Sequence, residues 1–137
     1  MVGIVIVAHG RLGEALIEAT EFILEDSCEA TVAVSIDVIE GTEMLRDRIN
    51  TGIKRVDQGD GVLVLTDMFG GTPSNLSLSF LEEGRIEVIT GVNLPILVRA
   101  ASLRKKMELK ELAQSVQSYG KKSIYLASDI LKGNKRA

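Results

Sequence analysis

A chain of 137 residues that is 45% hydrophobic is long enough to bury one core and too apolar to be disordered. Its net charge of −3 argues against a nucleic-acid surface, which needs clustered positive charge. One cysteine and one histidine exclude an internal disulfide and argue against a zinc site. With no signal peptide and no apolar run long enough to cross a bilayer, the expected location is a reducing cytoplasm.

Val2 to Ala8 is a β-branched run that predicts a buried first strand, stopping at Ala8-His9-Gly10. Leu12, Ala15, Leu16, Ala19 and Ile23 then recur at helical spacing, with Glu14, Glu18, Glu21 and Glu25 on the other side. An amphipathic helix to about Asp26 follows. Cys28 reads as a small packed residue, since no histidine or CxxC partner lies nearby. Ala30 to Ile36 is rich in Val and Thr and predicts a second strand at the sheet edge. Gly41-Thr42 opens a second helix with Thr42 as N-cap and a buried stripe of Leu45, Ile49, Ile53 and Val56. Gly59-Asp60-Gly61 breaks it.

Residues 61–75 form the most informative stretch. Val62 to Leu65 is a short apolar run, as expected of a strand covered on both faces. Asp67 sits just past its carboxyl end. Gly70 and Gly71 allow a tight turn and close approach to a ligand. Thr72 is a candidate N-cap, and Pro73 suits the first helical position. That third helix is predicted to run to about Glu83, with Gly84 at its C′ position. Arg85 to Thr90 predicts a fourth strand. Asn93 caps a fourth helix over roughly Leu94 to Lys106. Leu109, Leu112, Ala113 and Val116 mark a fifth, ended by Gly120. Ser123 to Ser128 predicts a last strand, and Lys132 to Ala137 a frayed tail.

Strands alternating with amphipathic helices give one α/β domain over 1–137, a doubly wound, mostly parallel central sheet with helices on both faces. In such a sheet the strand ends at His9, Asp67 and Gly91-Asn93 share one edge, where ligands bind. His9 there has a ring nitrogen available as nucleophile, base or ligand. Asp67 either caps its own turn or accepts the N–H of one His9 nitrogen, leaving the other as a nucleophile. A magnesium role is disfavoured, because no second carboxylate ends the first strand. The amides around Gly70, Gly71 and Thr72, with the Thr72 and Ser74 hydroxyls, are candidate phosphate donors. Asn93 reads as a helix cap, Arg11 as an exposed residue with phosphate contact as second choice, and Arg104-Lys105-Lys106 as a solvated helix end with anionic docking as second choice.

The Ala8-His9-Gly10 strand end, the Asp67-Met68-Phe69-Gly70-Gly71-Thr72-Pro73-Ser74-Asn75 block and Gly91-Val92-Asn93-Leu94-Pro95 together resemble the IIA component of the mannose-type sugar phosphotransferase system (PTS). The resemblance covers essentially the whole chain. It implies that His9 takes a phosphoryl group from phospho-HPr and passes it to a IIB protein that phosphorylates an incoming sugar. It further implies that Asp67 orients His9 and that Gly70, Gly71, Thr72 and Ser74 hold the phosphate, without cofactor or metal. Many members carry Ser where this chain has Thr72, which keeps the hydroxyl. Members form homodimers in which the last strand, here Ser123 to Ser128, is exchanged and pairs antiparallel with the partner's sheet. No IIB domain or linker follows within these 137 residues, so a separate IIB is expected, with the membrane reached only through IIC and IID components. The alternative is a stand-alone regulatory phosphoprotein that signals phosphorylation state without transport. A response-regulator receiver would need an acidic pair after the first strand, where Ala8-His9-Gly10 stands. A flavin or nucleotide domain is disfavoured by the absence of Trp and the few aromatics near the loops.

Overall fold

The structure is a computed structural model that describes residues 1–37, 39–68 and 70–133, with the side chains of Thr72 and Pro73 also outside the description. The expected fraying of the tail falls mostly on residues 134–137 and so lies outside it too.

The elements in chain order are β1 (Gly3–His9), α1 (Leu12–Leu24), β2 (Thr31–Ile36), α2 (Thr42–Val56), β3 (Val62–Thr66), α3 (Thr72–Leu78), β4 (Ile86–Thr90), α4 (Leu94–Leu103), α5 (Leu109–Lys122) and α6 (Ala127–Leu131). Among the described residues the sheet has four strands in the order β2-β1-β3-β4, and each ladder between these strands is parallel. Strand alternation divides the core. Ile4, Ile6 and Ala8 of β1 and Leu63 and Leu65 of β3 face one helical layer, with Ile96, Leu97, Leu112 and Val116 from α4 and α5 and Leu16 from α1. Val5, Val7, Val62 and Val64 face the other, with Leu45, Ile49 and Ile53 from α2 and Leu76 from α3. Covering on both sides explains why β1 and β3 read as unbroken apolar runs.

Several boundaries differ from the sequence expectation. The N-caps of α2 and α3 are Gly41 and Gly71 rather than Thr42 and Thr72. The helix α3 stops at Leu78, because the chain turns at once into a bridge between Glu82 and Ile86. Gly120 does not end α5: it lies inside the helix, where an added β-carbon would come within 2.8 Å of Ile96 Cδ1. That glycine serves close packing of α5 on α4. The basic run after α4 is not wholly solvated either. Arg104 is 3% exposed, and its guanidinium donates to Val2 O at 3.0 Å, Thr31 Oγ1 at 2.9 Å and Ala30 O at 2.7 Å. Burial pushes its pKa down against the opposing charges of Cys28 and Glu29. It pins the amino ends of β1 and β2 to the end of α4.

The largest difference is at the C-terminus. Among the described residues there is no fifth strand: Ser123 caps α5, residues 124–126 have no ladder partner, and 127–131 are helical. An extended segment needs a neighbouring strand for its backbone groups. Here Asp129 N and Ile130 N bond instead to Leu126 O. Ile124, Tyr125, Leu126, Ile130 and Leu131 are all exposed.

Candidate functional site

Because β1 and β3 are parallel neighbours with Val7 opposite Thr66, their carboxyl ends bring His9 and Asp67 side by side. The helices that follow, α1 and α3, leave to opposite faces of the sheet. The crevice between β1 and β3 is therefore a topological switch point, where open α/β sheets bind ligands.

One carboxylate oxygen makes both contacts to His9. Asp67 Oδ2 accepts the His9 backbone N–H at 3.0 Å and lies 2.7 Å from His9 Nδ1. An ionised carboxylate only accepts, so the Nδ1 proton sits in this contact and Nε2 carries the free lone pair. The His9 side chain is 48% exposed, whereas that of Asp67 is 11% exposed. The ring is presented to a partner while its orienting group stays sheltered. Burial pushes the Asp67 carboxyl up. The backbone and ring bonds from His9, the attraction of the His9 charge and the Met68 amide outweigh burial and hold it below the usual carboxylate range.

The glycine pair lies beside this ring. Gly70 has φ +88°, a left-handed conformation that suits a residue without a β-carbon. A β-carbon on Gly71 would sit 3.7 Å from His9 Cε1, so bare backbone flanks the imidazole. Of the predicted phosphate donors, the Thr72 side chain lies outside the described residues. Ser74 is placed differently from the expectation: it is fully buried, with its hydroxyl in the interior. It shares that side of α3 with Ser77, and both hydroxyls lack a hydrogen-bond partner among the described residues, as do Thr66 Oγ1 and Asp67 Oδ1. An unpaired buried hydroxyl costs stability. Ser77→Ala should therefore stabilise the fold by about 1 kcal/mol, read as a higher urea midpoint; a lower midpoint would mean the hydroxyl is paired.

Asn93 is a cap, as expected, with Oδ1 accepting from Ile96 N at 2.9 Å. Arg11 is exposed, 3.7 Å from Glu14, a surface pair of little energetic weight. Cys28 is part-buried; burial, with Glu21 and Asp26 behind it, pushes its thiol up against the pull of Arg104. Among the described residues no cluster of three His, Cys, Asp or Glu side chains is placed to hold a metal.

Sequence reasoning overlooked an apolar rim. Leu12, Ile39, Met44 and Met68 are all exposed, and each follows the carboxyl end of β1, β2 or β3. The available signal was large apolar residues where loops are usually polar. Burial of Arg104 was legible too, since Ile96, Ala100 and Arg104 continue one stripe at four-residue spacing along α4.

Comparison with known proteins decides the family. The family model EIIA-man, described as "PTS system fructose IIA component", matches residues 3–117. The chain belongs to this family. It is 33% identical over 138 residues to the "PTS system fructose-specific EIIA component" of Bacillus subtilis (strain 168), covering 100% of this chain and 94% of that protein. It is 34% identical over 104 residues to the "PTS system mannose-specific EIIAB component" of Escherichia coli (strain K12), covering 75% of this chain and 32% of that longer protein. The crystal structure of phosphotransferase system component EIIA from Streptococcus agalactiae superposes with a TM-score of 0.83 at 26% identity, covering 93% of this chain and 98% of the other. As a mannose-family EIIA component, the protein takes part in phosphoryl transfer for sugar uptake, together with other components of the system. No described helix of this EIIA chain is long and apolar enough to cross a membrane.

Proposed function

We propose that this EIIA protein is a phosphohistidine carrier in which His9 Nε2 accepts a phosphoryl group from phospho-HPr and passes it to a separate IIB protein. The observation that carries this reading is the Nδ1–Asp67 Oδ2 contact of 2.7 Å. In the forward step the Nε2 lone pair forms an N–P bond as the donor's N–P bond breaks, and the HPr imidazole leaves with its electron pair. The His9 ring then carries positive charge, with its proton still on Nδ1 and the Asp67 carboxylate against it. The second transfer runs the same exchange onto the IIB acceptor. The transition state is loose and anionic, so positioning and neutral donors suffice.

Gly70 and Gly71 supply the backbone nearest the phosphoryl group, Thr72 its hydroxyl, and Ser74, with its hydroxyl turned inward, only its amide. No Lys or Arg lies within residues 66–75, which suits a carrier that must release its phosphate. The rim of Leu12, Ile39, Met44 and Met68 is the surface on which HPr and IIB dock in turn. The unpaired segment 124–126 and the groove of about 720 Å³ beside β4, which Leu78, Val88, Ala113 and Gln117 help to line, support a homodimer that exchanges this segment. Such a carrier works in the cytoplasm and meets the membrane only through IIC and IID components.

Incubation with phospho-HPr tests the reading directly. His9 should gain an acid-labile, base-stable phosphoryl group, which leaves when a IIB acceptor is added. A label on another residue, or none, would overturn it.

A further inference from the structure

Two methionines are exposed in the segments that follow the carboxyl ends of β2 and β3, and Met44 also lines a groove with Val32, Ala33 and Val34 at the outer edge of β2. Met44, in the first turn of α2, is 60% exposed, and Met68, directly after Asp67, is 57% exposed. A β-carbon at Gly71 would lie 3.5 Å from Met68 Cγ and 3.7 Å from His9 Cε1, so the Met68 stem and the imidazole flank the same glycine. The other sulfur atoms lie away from these carboxyl ends. Met1 and Met107 are part-buried and line a pocket with Arg104, whose side chain pins the amino ends of β1 and β2. Cys28 lines a neighbouring pocket that also contains Met1 and Arg104. Its thiol is pushed up by burial, which keeps it in the unreactive protonated form. Of the two exposed methionine thioethers, that of Met68 is the one beside the proposed nucleophile.

We propose that Met68 is an oxidant-sensitive modification site through which hydrogen peroxide closes the docking rim to both phosphotransfer partners. This rests on the reading of His9 as a carrier between two proteins. The sulfur lone pair attacks one peroxide oxygen, the O–O bond breaks, and the sulfur, oxidised by two electrons, keeps that oxygen as a sulfoxide. The other oxygen leaves as hydroxide and takes the remaining proton to become water. An unbranched, polarizable thioether adapts to two different partner surfaces. A sulfoxide at the same place is polar, and burying it against an apolar partner surface costs desolvation. The change is reversible by methionine sulfoxide reductases.

The test treats the intact protein with hydrogen peroxide, maps sulfoxides by peptide mass spectrometry and measures the rate of labelling by phospho-HPr. Met68 and Met44 should oxidise before Met107, and labelling should slow about tenfold, the equivalent of losing one buried side chain from an interface. Reductase treatment should restore the rate. Met68→Leu keeps an apolar side chain of similar volume and should hold its own untreated rate after peroxide, whereas Met107→Leu should stay as sensitive as the parent. Oxidation of Met107 ahead of Met68, full-speed labelling of the Met68 sulfoxide, or equal peroxide sensitivity of Met68→Leu would each overturn the proposal. Failure of the untreated protein to label at all would instead overturn the carrier reading, taking the docking half of this proposal with it; the order of sulfoxide formation would still decide the chemical half.

Discussion

His9→Ala should remain unlabelled by phospho-HPr, with transfer at least about a thousandfold below the parent, while its circular dichroism stays unchanged. The loss follows from chemistry: among the described residues no second imidazole exists to take the N–P bond, since the chain has one histidine. The intact fold follows from position. His9 ends β1 with its side chain 48% exposed, and the residues that hold β1 in the core, Ile4 to Ala8, are untouched. Alanine keeps the backbone N–H that donates to Asp67 Oδ2 at 3.0 Å, so the loop after β3 retains one of its two anchors. What changes is the carboxyl itself. Without the ring bond and the ring's charge, two of the influences that lower the Asp67 pKa disappear, and it should move up toward the ordinary range. Retained label in His9→Ala, located by peptide mapping, would remove His9 as acceptor.

The parts of this molecule that the sequence displays are those whose surroundings are symmetrical or local. Strands β1 and β3 are covered on both faces, so burial writes itself as the runs Val2–Ala8 and Val62–Leu65. The meeting of His9 and Asp67 is legible because parallel strands bring all their carboxyl ends to one edge. Asn93 is legible because a cap acts within four residues. What stayed hidden depends on distant packing. Ser123 to Ser128 has strand composition, but a strand exists only beside another, and among the described residues none lies beside it. Gly120 looks like a helix stop until Ile96 is seen against it. Ser74 looks like an anion donor because it is polar and early in a helix. The way α3 lies on the sheet turns its hydroxyl inward, which no local pattern records.

Asp67→Asn and Asp67→Ala should separate two contributions that one side chain combines. Both contacts to His9 run to a single oxygen, Oδ2. An asparagine with its carbonyl oxygen in that place keeps both hydrogen bonds and loses the charge; its amide then occupies the buried position of Oδ1, which has no partner among the described residues. Alanine loses orientation and charge together. We expect transfer from phospho-HPr to slow about tenfold in Asp67→Asn and about a hundredfold in Asp67→Ala, with the ring tautomer preference of His9, read by nitrogen NMR, lost only in the alanine variant. Equal rates in all three proteins would exclude Asp67 from the mechanism. Stability gives an independent reading with a fixed sign. The folded Asp67 pKa is lowered, so its contribution is fully present above the ordinary carboxylate range and is lost as pH falls through the folded value. Urea midpoints should place the parent about 1 kcal/mol above Asp67→Asn at neutral pH. The gap should close in acid, where the parent's carboxyl is also neutral. A gap that persists unchanged at low pH would mean that shape, and not charge, accounts for the difference.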